Sequence, residues 1–398
     1  MEYQYKDFNR LIQECICTHW DRNALTDYKG STLQYKDVAR KIAKLHILFE
    51  TAGINPGDKI AVCGRNSSQW AVAFLAILTY RAVAVPILHE FKPEQVHNIV
   101  NHSEARLLFV GDLVYNSLKG DKEEYLAEEM PNLEGIIYIP DFMLKLSRNE
   151  ALTDARERLN ALYGERYPKY FRKEHLIYRE APNGEDLAMI NYTSGTTSNS
   201  KGVLIPYRAL WSNYDFAIGV LGDKVQHGDR IISMLPMAHM YGMAFEFIFE
   251  FLFGLHVHYL TSKPTPKVIV QAFADVKPKV VVSVPLIIEK LISLYPTIAN
   301  YFPAYELMMD ELRDYRFYAE DMCHPSPAAI HYISDRFEST YMDAKTRAWL
   351  RRAEALHRDL QHRPIHPDSE AHRRFLVQTK LKLKQLRAEL PTPPTFAR

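Results

Sequence analysis

Ile190-Asn-Tyr-Thr-Ser-Gly-Thr-Thr-Ser-Asn-Ser-Lys-Gly-Val203 is the stretch on which the fold turns. It overlaps an apolar run at residues 187–192, which reads as a strand, and precedes a helical pattern that begins at Tyr207. Gly195 and the hydroxyls of Thr193, Ser194, Thr196, Thr197 and Ser198 can aim backbone N–H groups and side-chain donors at phosphate oxygens, and Lys201 adds a full positive charge. Such a loop is a phosphate cradle. Hydroxyl-rich loops are also common on plain surfaces, so the surroundings decide between the two. The spacing is not that of a Walker loop, and no Gly-x-Gly-x-x-Gly is present for a dinucleotide.

Outward from that loop, residues 20–295 alternate short β-branched runs with helical stretches, the pattern of a largely parallel α/β sheet. Ser31-Thr32 opens a helix carrying Val38, Ile42, Leu45 and Phe49 and ending near Gly53. Residues 59–63 read as a strand, Asn66 or Ser67 as a cap, 70–80 as a helix, 82–87 as a buried strand and 106–110 as another, with a helix from Pro93 between them. Residues 113–186 are richer in charge and read as peripheral helices and loops around one strand, 136–139. Strands at 230–235 and 279–284 and a helix through Phe253 complete the series. The apolar segment 242–259 is interrupted by Glu246, Glu250, His256 and His258 and split at Gly254, which predicts a buried helix and a strand rather than a membrane span.

Composition sets outer bounds. The 398 residues are 24% charged and 47% apolar, ordinary for a soluble globular chain of two or three domains. Lys plus Arg number 49 against 48 Asp plus Glu, so no global field recruits nucleic acid or an anionic membrane. Cys15, Cys17, Cys63 and Cys323 are too sparse and irregular for a disulfide framework or a zinc site and suit a reducing, cytoplasmic setting. The amino terminus has no basic start followed by an apolar run, so no secretory signal is expected. After Leu294 the alternation stops, and from Glu338 thirteen Lys/Arg stand against seven Asp/Glu. That basic tail reads as helical, and its mixed signs suit a solvated helix face better than a nucleic-acid surface.

The Thr193–Lys201 segment resembles the phosphate-binding signature of the adenylate-forming superfamily, Tyr-Thr-Ser-Gly-Thr-Thr-Gly-x-Pro-Lys-Gly, with Ser198 in place of the usual glycine and Ser200 in place of the proline. Further segments look like that family's in their usual order: Asn23-Ala-Leu-Thr-Asp-Tyr through Thr32-Leu-Gln-Tyr, Gly57-Asp-Lys-Ile-Ala-Val, Ala73-Phe-Leu-Ala-Ile-Leu-Thr-Tyr-Arg-Ala-Val-Ala-Val-Pro-Ile and Met234-Leu-Pro-Met-Ala-His-Met-Tyr-Gly-Met. The long insert before the phosphate loop and Pro285-Leu-Ile-Ile-Glu-Lys-Leu look most like the long-chain fatty acid CoA ligase branch. The resemblance implies ATP, Mg²⁺ and CoA as cofactors and a fatty acid or other carboxylic acid as partner. Thr193, Ser194, Gly195, Thr196, Thr197 and Lys201 would bind the ATP phosphates, and His239 would lie between the acyl and nucleotide sides. It also implies a Tyr-Gly-x-Thr-Glu segment holding magnesium, an Asp binding ribose and a late Lys, and none of these follows Leu294, so no metal ligand is assigned.

Asp310-Glu-Leu-Arg-Asp-Tyr-Arg-Phe-Tyr-Ala-Glu-Asp-Met-Cys-His-Pro-Ser326 instead resembles the carboxy-terminal part of the bacterial GSCFA family, relatives of SGNH esterases, and the likeness continues through His362-Arg-Pro-Ile-His-Pro-Asp-Ser-Glu370. The resemblance implies a Ser-His-Asp triad completed by Asp321 and His324, and the serine has no counterpart here. The expected organisation is an incomplete ligase portion at 1–294, a GSCFA-like segment at 295–337 and a basic, also GSCFA-like tail at 338–398. In fold class this is α/β, parallel-sheet subdomains with flanking helices, followed by a mostly helical tail. The expected function is a CoA ligase of impaired turnover. The alternatives are a non-catalytic nucleotide- or acyl-binding fragment and an esterase remnant.

Overall fold

Long apolar runs must be covered on both faces, and in the computed structural model they build two sheets. The structure describes residues 5–120, 124–193, 201–262, 265–282, 312, 314–317, 326–362 and 369–389. They divide into two units, residues 1–283 and 284–398. The first unit begins with α1 (Phe8–Thr18), β1 (Asn23–Asp27), β2 (Thr32–Gln34), α2 (Tyr35–Thr51), β3 (Lys59–Cys63), α3 (Ser68–Tyr80), β4 (Val83–Ile87), α4 (Pro93–His102), β5 (Leu107–Val110) and α5 (Asp112–Lys119). It continues with α6 (Glu124–Glu129), β6 (Gly135–Tyr138), β7 (Leu144–Ser147), α7 (Glu150–Glu157), α8 (Leu159–Arg166), β8 (Leu187–Thr193), β9 (Lys201–Pro206) and α9 (Tyr207–Leu221). Then come β10 (Arg230–Ser233), α10 (Met240–Met243), a π-helical turn at Ala244–Ile248, α11 (Phe249–Phe253), β11 (His256–Tyr259) and α12 (Pro266–Val276).

The larger sheet has the order β7-β6-β5-β3-β4-β8-β9, parallel from β6 to β8 with an antiparallel strand at each edge. The smaller one, β10-β11-β1-β2, is parallel apart from β2. Helix α3 joins them. The Ser67 hydroxyl caps it by accepting the Trp70 N–H at 3.1 Å, Arg81 closes it in the left-handed region at φ +70°, and every residue between except Gln69 is buried. A helix apolar all round needs neighbours on every side, and α3 touches β3 and β4 of one sheet and β1 of the other. Trp70 stacks on Phe74 at 5.3 Å between ring centroids, and Phe247 meets both rings edge-on.

Several elements differ from the sequence expectation. The helix expected from Ser31-Thr32 begins at Tyr35, because residues 32–34 pair with β1 as an antiparallel strand. Region 113–186 holds two strands rather than one, since β7 folds back on β6. The phosphate loop joins two strands, not a strand to a helix, because residues 201–206 form β9 before α9 starts at the expected Tyr207. No strand forms over the described residues 279–282, where the Lys279 N–H to Arg230 carbonyl bond at 2.8 Å is the one backbone link to β10; residues 283–284 lie outside the described residues. The buried helical segment and strand expected over 242–259 are present, and among the described residues no helix is long and apolar enough to cross a membrane.

The second unit is helical where it is described, with helices at Pro327–Tyr341, Ala344–Gln361 and Glu370–Ala388. The last two pack through Trp349, Leu356, Leu383 and Leu386, and Arg352 of one pairs with Glu389 just past the other. The domain boundary expected near Leu294 lies outside the described residues.

Candidate functional site

In open α/β sheets, ligands gather outside the carboxyl ends of the strands. β8 runs parallel to β4 and ends at Thr193, and β9 returns antiparallel with Thr193 opposite Lys201 and Tyr192 opposite Gly202. A Cβ at Gly202 would lie 2.8 Å from Ile190 Cγ2 and 3.1 Å from Tyr192 Cζ, so the absence of a side chain is what lets the two strands close at this end. The Tyr192 hydroxyl is hydrogen-bonded to His102 Nδ1 at 2.7 Å, which fixes the strand end to α4. Lys201 is exposed at the mouth of the hairpin. Ser194, Gly195, Thr196, Thr197 and Ser198 lie outside the described residues, as do Asp321 and His324.

His239 is also exposed, at the cap of α10, where its Nδ1 accepts the Tyr241 N–H at 3.3 Å. It stands on the loop that leaves the carboxyl end of β10, in the other sheet. Two buried asparagines bring the strand ends together. Asn191 of β8 donates through Nδ2 to the carbonyl of Ala238, next to His239, at 3.1 Å. Asn66, just past β3, donates to the Leu235 carbonyl at 2.6 Å and accepts the Met237 N–H at 2.9 Å. Neither role was visible in the sequence; Asn191 stood inside the phosphate signature, and Asn66 read only as a possible cap. A Cβ at Gly242 would meet the Pro236 carbonyl oxygen at 2.6 Å, so glycine allows the helix start to close over this loop.

Beneath the loop, the Glu246 carboxylate accepts the N–H groups of Met234 and Leu235, each at 2.7 Å. Burial pushes its pKa up to about 8, and the two backbone hydrogen bonds pull the other way. Glu250, fully buried one turn further, is raised well above the ordinary carboxyl range by the same desolvation. Asp27 at the end of β1 accepts from the Ser68 N–H at 2.7 Å and hydroxyl at 2.9 Å; burial raises its pKa and those bonds oppose it. Among the described residues no group of three or more His, Cys, Asp or Glu side chains is placed to hold a metal ion. What the arrangement offers is an exposed imidazole on the loop after β10 and an exposed ammonium at the start of β9, with the backbone next to the first held by Asn191 of β8.

The family model for AMP-binding enzyme matches residues 13–344, and that for the GSCFA domain protein, C-terminal domain, matches residues 353–393. Long chain acyl-CoA synthetase 3 of Arabidopsis thaliana is 25% identical over 264 residues, which cover 65% of this chain and 37% of that protein. The chain spans less than half the length of the curated relatives it matches. The N-terminal domain of FACL13 from Mycobacterium tuberculosis superposes with a TM-score of 0.56 at 18% identity, covering 75% of this chain and 68% of that one. ATP-bound MatB from Rhodopseudomonas palustris does so at 0.55 and 19%, covering 72% and 51%. With a family model that spans most of the sequence, the chain belongs to the AMP-binding enzyme family.

Proposed function

We propose that this chain is an acyl-activating ligase by descent, which binds ATP phosphates at the Thr193–Lys201 hairpin and receives a carboxylic acid, a long-chain fatty acid foremost, beside His239. In the reaction proposed, a carboxylate oxygen attacks the α-phosphorus of ATP, the bond to the β-phosphate breaks and pyrophosphate leaves. A CoA thiolate then attacks the acyl carbon and AMP departs. Lys201 and the loop hydroxyls from Thr193 to Thr197 would offset phosphate charge, and the His239 imidazole would position the acid against the nucleotide. No residue is assigned to magnesium, and no step is drawn through it. Taken by itself the chain turns over slowly on this reading, since the family's metal-binding Glu, ribose-binding Asp and late Lys have no counterpart after Leu294. A cytoplasmic location suits these substrates.

The observation that supports this reading is the Asn191 to Ala238 hydrogen bond, which fastens the strand leading into the phosphate loop to the backbone that carries His239. Carboxylate-dependent ATP–pyrophosphate exchange, with a panel of fatty acids and Lys201→Ala as control, tests it. Slow exchange that the variant loses is the expected result. If a folded sample binds ATP yet shows no exchange, the chain is a nucleotide-binding member of the family without ligase activity.

A further inference from the structure

A cleft of about 520 Å³ opens between α2, the turn that follows β6, and α7 and α8, inside the first unit. Its volume is that of a small-molecule site. None of its lining residues belongs to the β8–β9 hairpin or to the loop of His239. Its floor is apolar, with Leu45, Leu48 and Leu159 buried, and the Phe142 and Tyr163 rings line it as well. Four cationic side chains, Arg40, Lys41, Lys44 and Arg156, line it against two acids, Asp37 and Asp141.

Both acids are committed elsewhere. Asp37 accepts the Gln34 N–H and the Arg40 guanidinium, each at 3.0 Å, and Asp141 accepts the Met143 N–H at 2.9 Å. Lys44 donates to Asn160 Oδ1 at 2.8 Å and Arg156 to the Phe142 carbonyl at 2.7 Å. Lys41 is left over. No hydrogen bond or ion pair joins its ammonium to any described residue, and it stands over the Phe142 ring, 5.8 Å from the centroid. Burial pushes its pKa down, the charge of Lys44 adds to this and Asp37 opposes it. A half-buried cation that pays for desolvation without a hydrogen-bonded anion is a poor structural element and a good ligand contact. Phe142 itself sits at φ +57°, in the left-handed region that bulky residues rarely enter, and is held there by its N–H to the Tyr138 carbonyl and by Arg156.

We propose that this cleft binds a small amphipathic organic acid, its carboxylate against Lys41 with Arg40 and Lys44 close by, and its aromatic or short aliphatic body on the Leu45–Leu48 floor. The probe is 2-naphthoate, titrated calorimetrically into the full chain beside neutral 2-naphthylmethanol. Loss of one charge-assisted contact predicts binding about tenfold or more weaker for the alcohol and for Lys41→Met, with Lys41→Arg retaining most of it. Should Lys41→Met fail to fold, acetylation of the native chain decides: 2-naphthoate slows modification of Lys41 and leaves the exposed Lys169 unaffected. Absence of saturable binding, binding unchanged in folded Lys41→Met, or equal acetylation of Lys41 with and without the acid overturns the proposal.

Discussion

Glu246 supports the loop beneath His239 through two hydrogen bonds, and it does so as a carboxyl forced into an apolar helix. Its folded pKa of about 8 lies above the ordinary carboxyl value, so between the two the folded chain binds more protons than the unfolded one and stability falls as pH rises. Glu250 acts in the same direction. His46, His256 and His258, held down to about 3, 4 and 4 by burial, act oppositely, and their contribution is complete once pH exceeds the ordinary histidine value of 6.5. The melting temperature is therefore expected to drop between about pH 6.5 and 8.5, and Glu246→Gln, which keeps an acceptor but cannot ionise, is expected to flatten the drop. A wild-type profile that rises across this interval contradicts the assignment. In the sequence Glu246 was legible only as an interruption in an apolar run. Asn66 and Asn191 were less legible still, because one side chain reaching a backbone group more than forty residues away leaves no periodic trace.

At the scale of elements, the parallel strands of the larger sheet were legible, and β1, β2, β7 and β9 were not read as strands. The first are runs of Val, Ile and Leu closed off on both faces, and their composition states it. β1, Asn23-Ala-Leu-Thr-Asp27, lies inside its sheet without a Val/Ile/Leu run, and β2, β7 and β9 are antiparallel strands at sheet edges, short or half-exposed. β9 carries a cost with that position. Val203 and Leu204 are 45% and 64% exposed on an edge that no described strand covers, and an open ladder beside apolar side chains invites pairing with another chain. Leu204→Lys is expected to reduce concentration-dependent association in sedimentation velocity, at a change in stability within about 0.5 kcal/mol. Equal association of variant and parent would remove the edge as its cause.

Across the whole molecule, family and fold class were carried by the order of several motifs before Leu294 rather than by any one of them. What pattern alone could not supply was how the strand ends converge, since that depends on α3 lying between two sheets. Its burial on every side makes a large-to-small change in it costly to the first unit. Phe74→Ala is expected to cost about 3–5 kcal/mol there. The division into residues 1–283 and 284–398 predicts two calorimetric transitions, of which this variant lowers one. A single transition shifted as a whole would show one cooperative body. The pairing of Thr193 with Lys201 has a further consequence, in polymer terms. Whatever conformation residues 194–200 take, their two ends already meet, so the entropy of closing that ring is charged to folding of the sheet and not to nucleotide binding. Replacing Lys201 by alanine leaves the ring closed, and any affinity it removes measures charge rather than loop closure.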